Sequence, residues 1–89
     1  MYYVYAMQSI KDGRIYVGMS RNVKQRLKEH NSGYVFSTKG YRSWKLFHQE
    51  AYATRKDARI REKKLKSGFG KEFLKSILYK TPSSAVAQW

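Results

Sequence analysis

The chain has 89 residues, which suits one compact domain with a single modest core. It contains no cysteine, so disulfides and thiolate zinc sites are excluded and the fold must rest on apolar packing. Nineteen Lys and Arg against six Asp and Glu give a net charge of 19 − 6 = +13. Such a balance favours phosphate-rich partners, and nucleic acid is the leading candidate.

The sequence shows no sign of a membrane segment. No stretch approaches the roughly 20 apolar residues of a spanning helix, and the start Met1-Tyr2-Tyr3-Val4 lacks the charged beginning of a secretory signal. We therefore expect no membrane partner and, by default, a cytoplasmic location. A ribosomal or membrane-surface protein would match the charge alone, and this alternative stays open.

Two segments near the N-terminus, rich in Tyr, Val and Ile, predict a β-hairpin around an Asp-Gly turn signal. The segments are residues 2–7 and 14–18. If Met7 pairs with Arg14, Tyr5 lies opposite Tyr16 and the two phenols share one face of the sheet. A tighter turn would shift this register.

The rest of the chain predicts one further strand and three helices. The first helix follows a capping residue and ends before a glycine, the second begins at a capping box, and the third has a helical apolar repeat. The predicted helices are residues 22–31, 58–66 and 70–79, and the strand is 44–51. The basic segment 34–43 between them predicts a loop.

Two features of the helices indicate more than packing. Arg26 and His30 are four residues apart, so their side chains are neighbours on one face of the first helix. Glu62 lies between Ala58 and Leu65 on the wheel of the second helix, beside its apolar stripe. That placement is unusual for a carboxylate that only solvates the surface.

The residues that carry a family resemblance are Tyr3-Val4-Tyr5, Tyr16-Val17-Gly18, Arg26, His30 and Glu62. This pattern resembles the GIY-YIG nuclease superfamily. It is most similar to the small stand-alone bacterial members and to the N-terminal nuclease domain found in the bacterial excinuclease. The resemblance covers residues 1–79 as one domain and leaves 80–89 as a C-terminal tail. It implies an α+β fold, a three-stranded antiparallel sheet flanked by about three helices.

The resemblance also implies an activity: a divalent-metal-dependent endonuclease that hydrolyses phosphodiester bonds in DNA, in repair or recombination, with RNA as the other candidate substrate. Glu62 would hold a single Mg²⁺ or Mn²⁺, which accepts one carboxylate and completes its shell with water and phosphate. Arg26 would bind the scissile phosphate as a planar fork. We expect these two residues, Tyr5, Tyr16 and His30 to converge on one concave surface as the catalytic site.

Proton transfer in that site would involve the two phenols and the imidazole. An unperturbed Tyr titrates near ~10 and must be lowered by Arg26 or the metal to act at neutral pH, whereas His titrates near ~6.5. Tyr5 and Tyr16 would orient the water, and the resemblance implies that such a Tyr can act as the general base. His30 is the better intrinsic base or relay, so we assign the role to the Tyr and His30 jointly. Without the resemblance, strand packing for the Tyr residues and surface ion pairing for Glu62 would be the simpler interpretations.

Further basic residues are candidates for contacts with the phosphate backbone. They are Lys24, Lys28, Lys39, Arg42, Arg55 and Arg59. His48 lies in the third strand away from the motif, and we expect a structural role for it.

Two departures from the family pattern motivate a second hypothesis. Met19 stands where several relatives carry a Lys, and no Asn follows Asn31, although some relatives have one on the C-terminal helix. The alternative is a non-catalytic, degenerate module that binds nucleic acid through its charge. Oligomeric state and a larger protein partner for targeting are left open.

Overall fold

The structure is a computed structural model in which residues 1–79 are described. Within this range the chain forms three strands and four helices: β1 (Tyr2–Ser9), β2 (Ile15–Ser20), α1 (Val23–Ser32), α2 (Phe36–Lys39), β3 (Trp44–Tyr52), α3 (Arg55–Leu65) and α4 (Gly68–Leu78). The strands make one antiparallel sheet in the order β2-β1-β3. The predicted α+β fold class is confirmed. The predicted tail, 80–89, lies outside the described residues.

The sheet buries both of its faces because helices lie on each side. Alternate residues of the central strand β1 point to opposite faces, as strand geometry requires. On one face Val4 and Ala6 pack with Ala58, Leu65 and Leu74 of α3 and α4. On the other, Tyr5 and Met7 pack with α1 and with the start of β3; the buried partners are Val23 and Trp44. In the described part of the chain, no helix is long and apolar enough to cross a membrane.

The hairpin register differs from the one predicted. Met7 pairs with Tyr16 and Tyr5 with Gly18, so the expected pairing of Met7 with Arg14 is wrong by two residues. An even shift leaves every side chain on its face, because side chains alternate with a period of two. Tyr5 and Tyr16 therefore still share a face, as diagonal neighbours and not as direct partners.

The cause of the shift is a tight turn that extends β1 to Ser9. The backbone N–H of Ser9 donates to the carbonyl of Arg14 at 2.9 Å, and Gly13 N–H donates back to the Ser9 carbonyl at 2.9 Å. The Ser9 hydroxyl also accepts from the backbone N–H of Lys11 at 3.1 Å. The hydrogen bonds of the buried Ser9 thus place the turn one residue later in the chain than the pattern of apolar residues indicates.

The first two predicted helices form where the capping residues indicated, whereas the third begins at Gly68, two residues earlier than predicted, because Ser67 caps it. Asn22 Oδ1 accepts from the backbone N–H of Gln25 at 3.1 Å, and Thr54 Oγ1 accepts from that of Asp57 at 3.2 Å. The segment predicted as a loop contains the short helix α2, which has no side-chain cap. A single turn carries no apolar periodicity that could have revealed it.

Helix α4 follows α3 after a very short connection, and Gly70 makes this packing feasible. A Cβ on Gly70 would collide with the backbone carbonyl of Leu65 at the end of α3. The two helices therefore meet closely, and their buried residues complete the first core cluster.

A carboxylate on β3 ties the sheet to α3. Glu50 accepts from Arg61 Nε at 2.8 Å and Nη2 at 3.1 Å, from the Tyr52 hydroxyl, and from His48 Nε2 at 2.7 Å. Burial would raise the pKa of Glu50, but these hydrogen bonds outweigh it and lower that pKa to about 2. His48 also packs edge-on against Phe73 at 5.8 Å, which agrees with the structural role expected for it.

Replacing Glu50 with Gln should reduce the free energy of unfolding by about 2 kcal/mol at neutral pH, because Arg61 loses its ionised partner. The folded-state pKa of Glu50, about 2, lies below the ordinary value of 4.5. Its contribution is therefore fully present above the ordinary value and is lost as the pH falls through the folded one. Urea unfolding of both proteins over this pH range measures the effect.

A matched control is Glu72→Gln, since the Glu72 side chain is 80% exposed and lies 4.0 Å from its partner Lys75. Such an exposed pair contributes little, so this change should cost less than about 0.5 kcal/mol. A Glu50→Gln effect that stays constant from neutral pH to about pH 3 would contradict the ionic role of Glu50.

Candidate functional site

The site is built around the buried phenol of Tyr5. Tyr5 is 1% exposed, and its hydroxyl lies 2.9 Å from Nε2 of His30 on α1. To reach that helix, the Tyr5 ring passes over Gly18 of β2. A Cβ at position 18 would lie 2.6 Å from the Tyr5 oxygen and 3.0 Å from Cε1 of Tyr16, so any side chain there would displace a phenol. The glycine thus creates the space for the Tyr5–His30 contact.

A second hydrogen bond fixes the tautomer of His30. Its Nδ1 lies 2.7 Å from the hydroxyl oxygen of Thr38 on α2, and that hydroxyl donates to the carbonyl of Val35 at 3.3 Å. We assign the Thr38 proton to this carbonyl, and in that assignment the Thr38 oxygen accepts from Nδ1–H of His30. The other ring nitrogen, Nε2, then carries a lone pair and accepts from the Tyr5 hydroxyl. The proton of Tyr5 therefore points at a base.

Burial sets the protonation states of this pair in opposite directions. Burial first, and the nearby Arg26 charge second, lower the pKa of His30 to about 4. Burial, followed by the Tyr16 interaction, raises the pKa of Tyr5 to about 12. Arg26 does act to lower the Tyr5 pKa, as expected from the sequence, but burial outweighs it. At neutral pH Tyr5 is a phenol and His30 is an uncharged imidazole.

Tyr16 and Arg26 complete the cluster on this face. The Tyr16 ring centroid lies 5.0 Å from that of His30 and 6.4 Å from that of Tyr5. Arg26 Nη1 donates to Oε1 of Glu29 at 2.8 Å, and its guanidinium also interacts with the Tyr5 hydroxyl. The Arg26 side chain is 36% exposed, so its fork reaches solvent while it acts on the buried phenol.

Glu62 comes from the other helix layer. It is 9% exposed, and Lys66 Nζ lies 3.2 Å and Arg59 Nε 3.9 Å from its carboxylate oxygens. Its negative charge contributes to the raised pKa of Tyr5, so the two groups interact electrostatically. Close contacts or hydrogen bonds join four of the predicted residues into one cluster: Tyr5, Tyr16, Arg26 and His30. Glu62 is linked to this cluster through its electrostatic interaction with Tyr5. The ion pair with Lys66, four residues later, is the surface ion pairing that the sequence without the family resemblance would predict for Glu62.

The side chains that could act as metal ligands decide which metal ion could bind at this site. Within residues 1–79 no group of three or more His, Cys, Asp or Glu side chains could hold an ion together. Both nitrogens of His30 are engaged by Tyr5 and Thr38. Glu62 offers one nearly buried carboxylate, but Lys66 and Arg59 already neutralise it, so a metal ion would have to displace Lys66 to bind there. One carboxylate suits Mg²⁺, which keeps several waters, and does not suit an ion that needs several protein ligands.

All the residues predicted to contact the phosphate backbone are exposed, on α1, on or after α2, and on α3. They are Lys24, Lys28, Lys39, Arg42, Arg55 and Arg59. Two residues near the site were not predicted. Thr38 lies in the unpredicted helix α2, and no local pattern points to it. Lys66 is four residues after Glu62, a helical spacing that could have signalled the ion pair.

Replacing Thr38 with Val should release His30 from its single tautomer, because Nδ1–H loses its acceptor while the volume of the side chain is kept. NMR chemical shifts of the two ring nitrogens should move from one protonated and one bare nitrogen towards a mixture. Thr38→Ser, the matched control, keeps the hydroxyl and should keep the wild-type pattern. Identical ring-nitrogen shifts in the Val variant would contradict the role of Thr38.

Known proteins share both the sequence and the fold. The family described as the GIY-YIG catalytic domain matches residues 1–75. A UPF0213 protein of Staphylococcus saprophyticus is 32% identical over 77 residues, covering 85% of this chain and 93% of that protein. A UPF0213 protein of Staphylococcus epidermidis is 34% identical over 77 residues, with the same coverage of 85% and 93%.

A solved structure agrees with these matches. The solution NMR structure of the UPF0213 protein BH0048 from Bacillus halodurans superposes with a TM-score of 0.52 at 32% identity, covering 99% of this chain and 96% of that one. The sequence match, the three-stranded sheet and the tyrosines over Gly18 agree with one another. The chain belongs to the GIY-YIG family, a family of nuclease-type hydrolases.

Proposed function

We propose that the protein is a divalent-metal-dependent endonuclease that hydrolyses phosphodiester bonds in DNA. Its catalytic residues in this proposal are Tyr5, Tyr16, Arg26, His30 and Glu62. The main observation in its favour is the buried chain of hydrogen bonds from Tyr5 through His30 to Thr38. In this chain the phenolic proton of Tyr5 faces a neutral imidazole, and the guanidinium of Arg26 lies beside the phenol. The net charge of +13 supports a nucleic-acid substrate.

Substrate binding is assigned first to Arg26. Glu29 and the Tyr5 hydroxyl hold the guanidinium in place, and its remaining N–H groups would bind a phosphate. A planar fork recognises two phosphate oxygens at once. The fixed position beside Tyr5 would bring the scissile phosphate to the phenol.

Proton transfer then follows the hydrogen bonds already present. As a water attacks phosphorus, its proton passes to the Tyr5 oxygen while the Tyr5 proton passes to Nε2 of His30. The new oxygen–phosphorus bond forms as the bond to the leaving oxygen breaks, and solvent protonates that oxygen. His30 becomes a transient imidazolium whose Nδ1–H remains bound to Thr38, and its lowered pKa of about 4 means that it gives the proton up again at neutral pH. Tyr16, packed on the His30 ring, orients the water.

Glu62 is the residue that would hold the divalent ion. Nucleases of this family generally use divalent metals, and a bound Mg²⁺ or Mn²⁺ supplies positive charge against the growing charge on the phosphoryl oxygens. The resemblance to the nuclease domain of the bacterial excinuclease supports a place in DNA repair or recombination within the cytoplasm, with RNA as the alternative substrate.

A second candidate function rests on position 19. Met19 is partly buried against the first core cluster and offers no polar group where several relatives carry a Lys. A module that binds nucleic acid without cutting it would tolerate this. Labelled single-stranded, duplex and branched DNA and RNA, incubated with Mg²⁺ or Mn²⁺, separate the two functions: metal-dependent cleavage supports the nuclease, and a mobility shift without cleavage supports the binding module.

Replacing Glu62 with Gln should lower the cleavage rate by about 100-fold or more, because the charge that holds the ion is removed while the shape is kept. Binding of DNA without divalent metal should be unchanged or tighter, since a carboxylate no longer repels phosphate. Single-turnover cleavage and fluorescence anisotropy measure the two effects. Asp57→Asn, which removes an exposed carboxylate from the same helix, is the control for charge, and a wild-type cleavage rate in Glu62→Gln would remove Glu62 from the mechanism.

The Arg26→Lys variant tests whether the bidentate geometry of the guanidinium matters in addition to its positive charge. The variant keeps a cation but loses bidentate geometry, so the cleavage rate should fall by about 10-fold to 100-fold while metal-free DNA affinity changes less. Arg26→Ala should weaken both. Equal rates for Arg26→Lys and the wild type would show that only the charge at this position matters.

A further inference from the structure

We propose that a basic groove between β2 and the helices α3 and α4 binds the phosphate backbone of one nucleic-acid strand and leads it to the site. This proposal rests on the proposed function, whose substrate it positions. The groove has a volume of about 460 Å³, and its lining includes Arg14, Tyr16, Leu65, Lys66, Lys71, Leu74 and Lys75. Its residues on α3 and α4 were not among those predicted to bind nucleic acid.

The charge of the groove favours a polyanion. Lys71 and Lys75 line it and are exposed, and its lining contains no Asp or Glu; Lys66 also lines it but is paired with Glu62 at 3.2 Å. Lys71 and Lys75 are one turn apart on α4, a rise of roughly 6 Å, which is comparable to the separation of neighbouring phosphates along one strand. Arg14 adds less, because it is paired with Asp12 at 2.8 Å and stacked on a tyrosine ring.

The lysines on α4 are available to a ligand. Within residues 1–79, Lys71 takes part in none of the ion pairs of the protein. Lys75 lies 4.0 Å from Glu72, and both side chains are more than half exposed, so that pair holds the ammonium weakly. Leu65 and Leu74 form an apolar part of the lining, which suits the carbon faces of the sugars.

The groove is continuous with the proposed site at two points. Lys66 lines the groove, and its Nζ lies 3.2 Å from Oε2 of Glu62. Tyr16 also lines it, and its ring packs on His30 at 5.0 Å between centroids. A strand held by Lys71 and Lys75 would therefore run towards the carboxylate and the phenols. The outer edge of β2, which pairs with β1 alone within the sheet, forms the opposite wall.

The test compares two double variants that each remove two positive charges. Lys71→Gln with Lys75→Gln changes the groove, whereas Lys45→Gln with Lys56→Gln changes exposed lysines on β3 and at the start of α3. The probe is fluorescein-labelled oligothymidylate without divalent metal. The groove variant should weaken binding about tenfold at low salt. It should also reduce the slope of log K against log salt by about 1.4, because two phosphates of a single strand are no longer neutralised.

The control variant should change affinity less than about twofold. Equal weakening by the two variants would overturn the groove, because overall charge would then explain binding. Equally groove-dependent binding of polyglutamate would also overturn it, since any polyanion would then suffice. If the groove variant alone loses affinity while the wild type cleaves nothing with Mg²⁺ or Mn²⁺, the groove stands and the nuclease proposal fails. Normal cleavage with equal weakening by both variants rejects the groove alone.

Discussion

The hydrogen bond between the Tyr5 phenol and His30 is the constraint on which the site depends. It joins the central strand to α1, and it forms because Gly18 on the neighbouring strand leaves room for the ring. On its far side His30 is held by Thr38, so the short helix α2 is drawn into the same chain of contacts. One polar contact thus explains a tyrosine, a histidine and a glycine of the family pattern together.

Burial of this hydrogen bond also decides which of the two groups, the phenol or the imidazole, holds the proton. A buried phenol resists ionisation and a buried imidazole resists protonation, so the pKa of Tyr5 rises to about 12 while that of His30 falls to about 4. The proton stays on Tyr5 in the free protein. Part of the rise at Tyr5 comes from the negative charge of Glu62. Neutralising Glu62 would therefore weaken one of the causes that raise the Tyr5 pKa, which links the carboxylate on α3 to the phenol.

Local patterns in the sequence predicted the elements, since capping residues such as Asn22 and Thr54 act within a few residues. The side of the sheet that Tyr5 and Tyr16 share was also predictable, because a two-residue error in register does not change it. The register itself depends on hydrogen bonds of Ser9 in the turn. Thr38 was hidden because it lies in a single helical turn without apolar periodicity. The basic groove was hidden because it brings together segments distant in the sequence, which composition and periodicity do not reveal.

The small number of carboxylates has a further consequence for the surface. Five of the six acidic residues form ion pairs with basic side chains: Asp12, Glu29, Glu50, Glu62 and Glu72. The sixth, Asp57, lies in the first turn of α3, where the helix dipole favours a negative charge. The acidic side chains are thus neutralised locally, and most of the nineteen cations have no carboxylate to balance them. Their mutual repulsion opposes compactness, so a polyanion that binds the native surface relieves it and stabilises the fold at the same time.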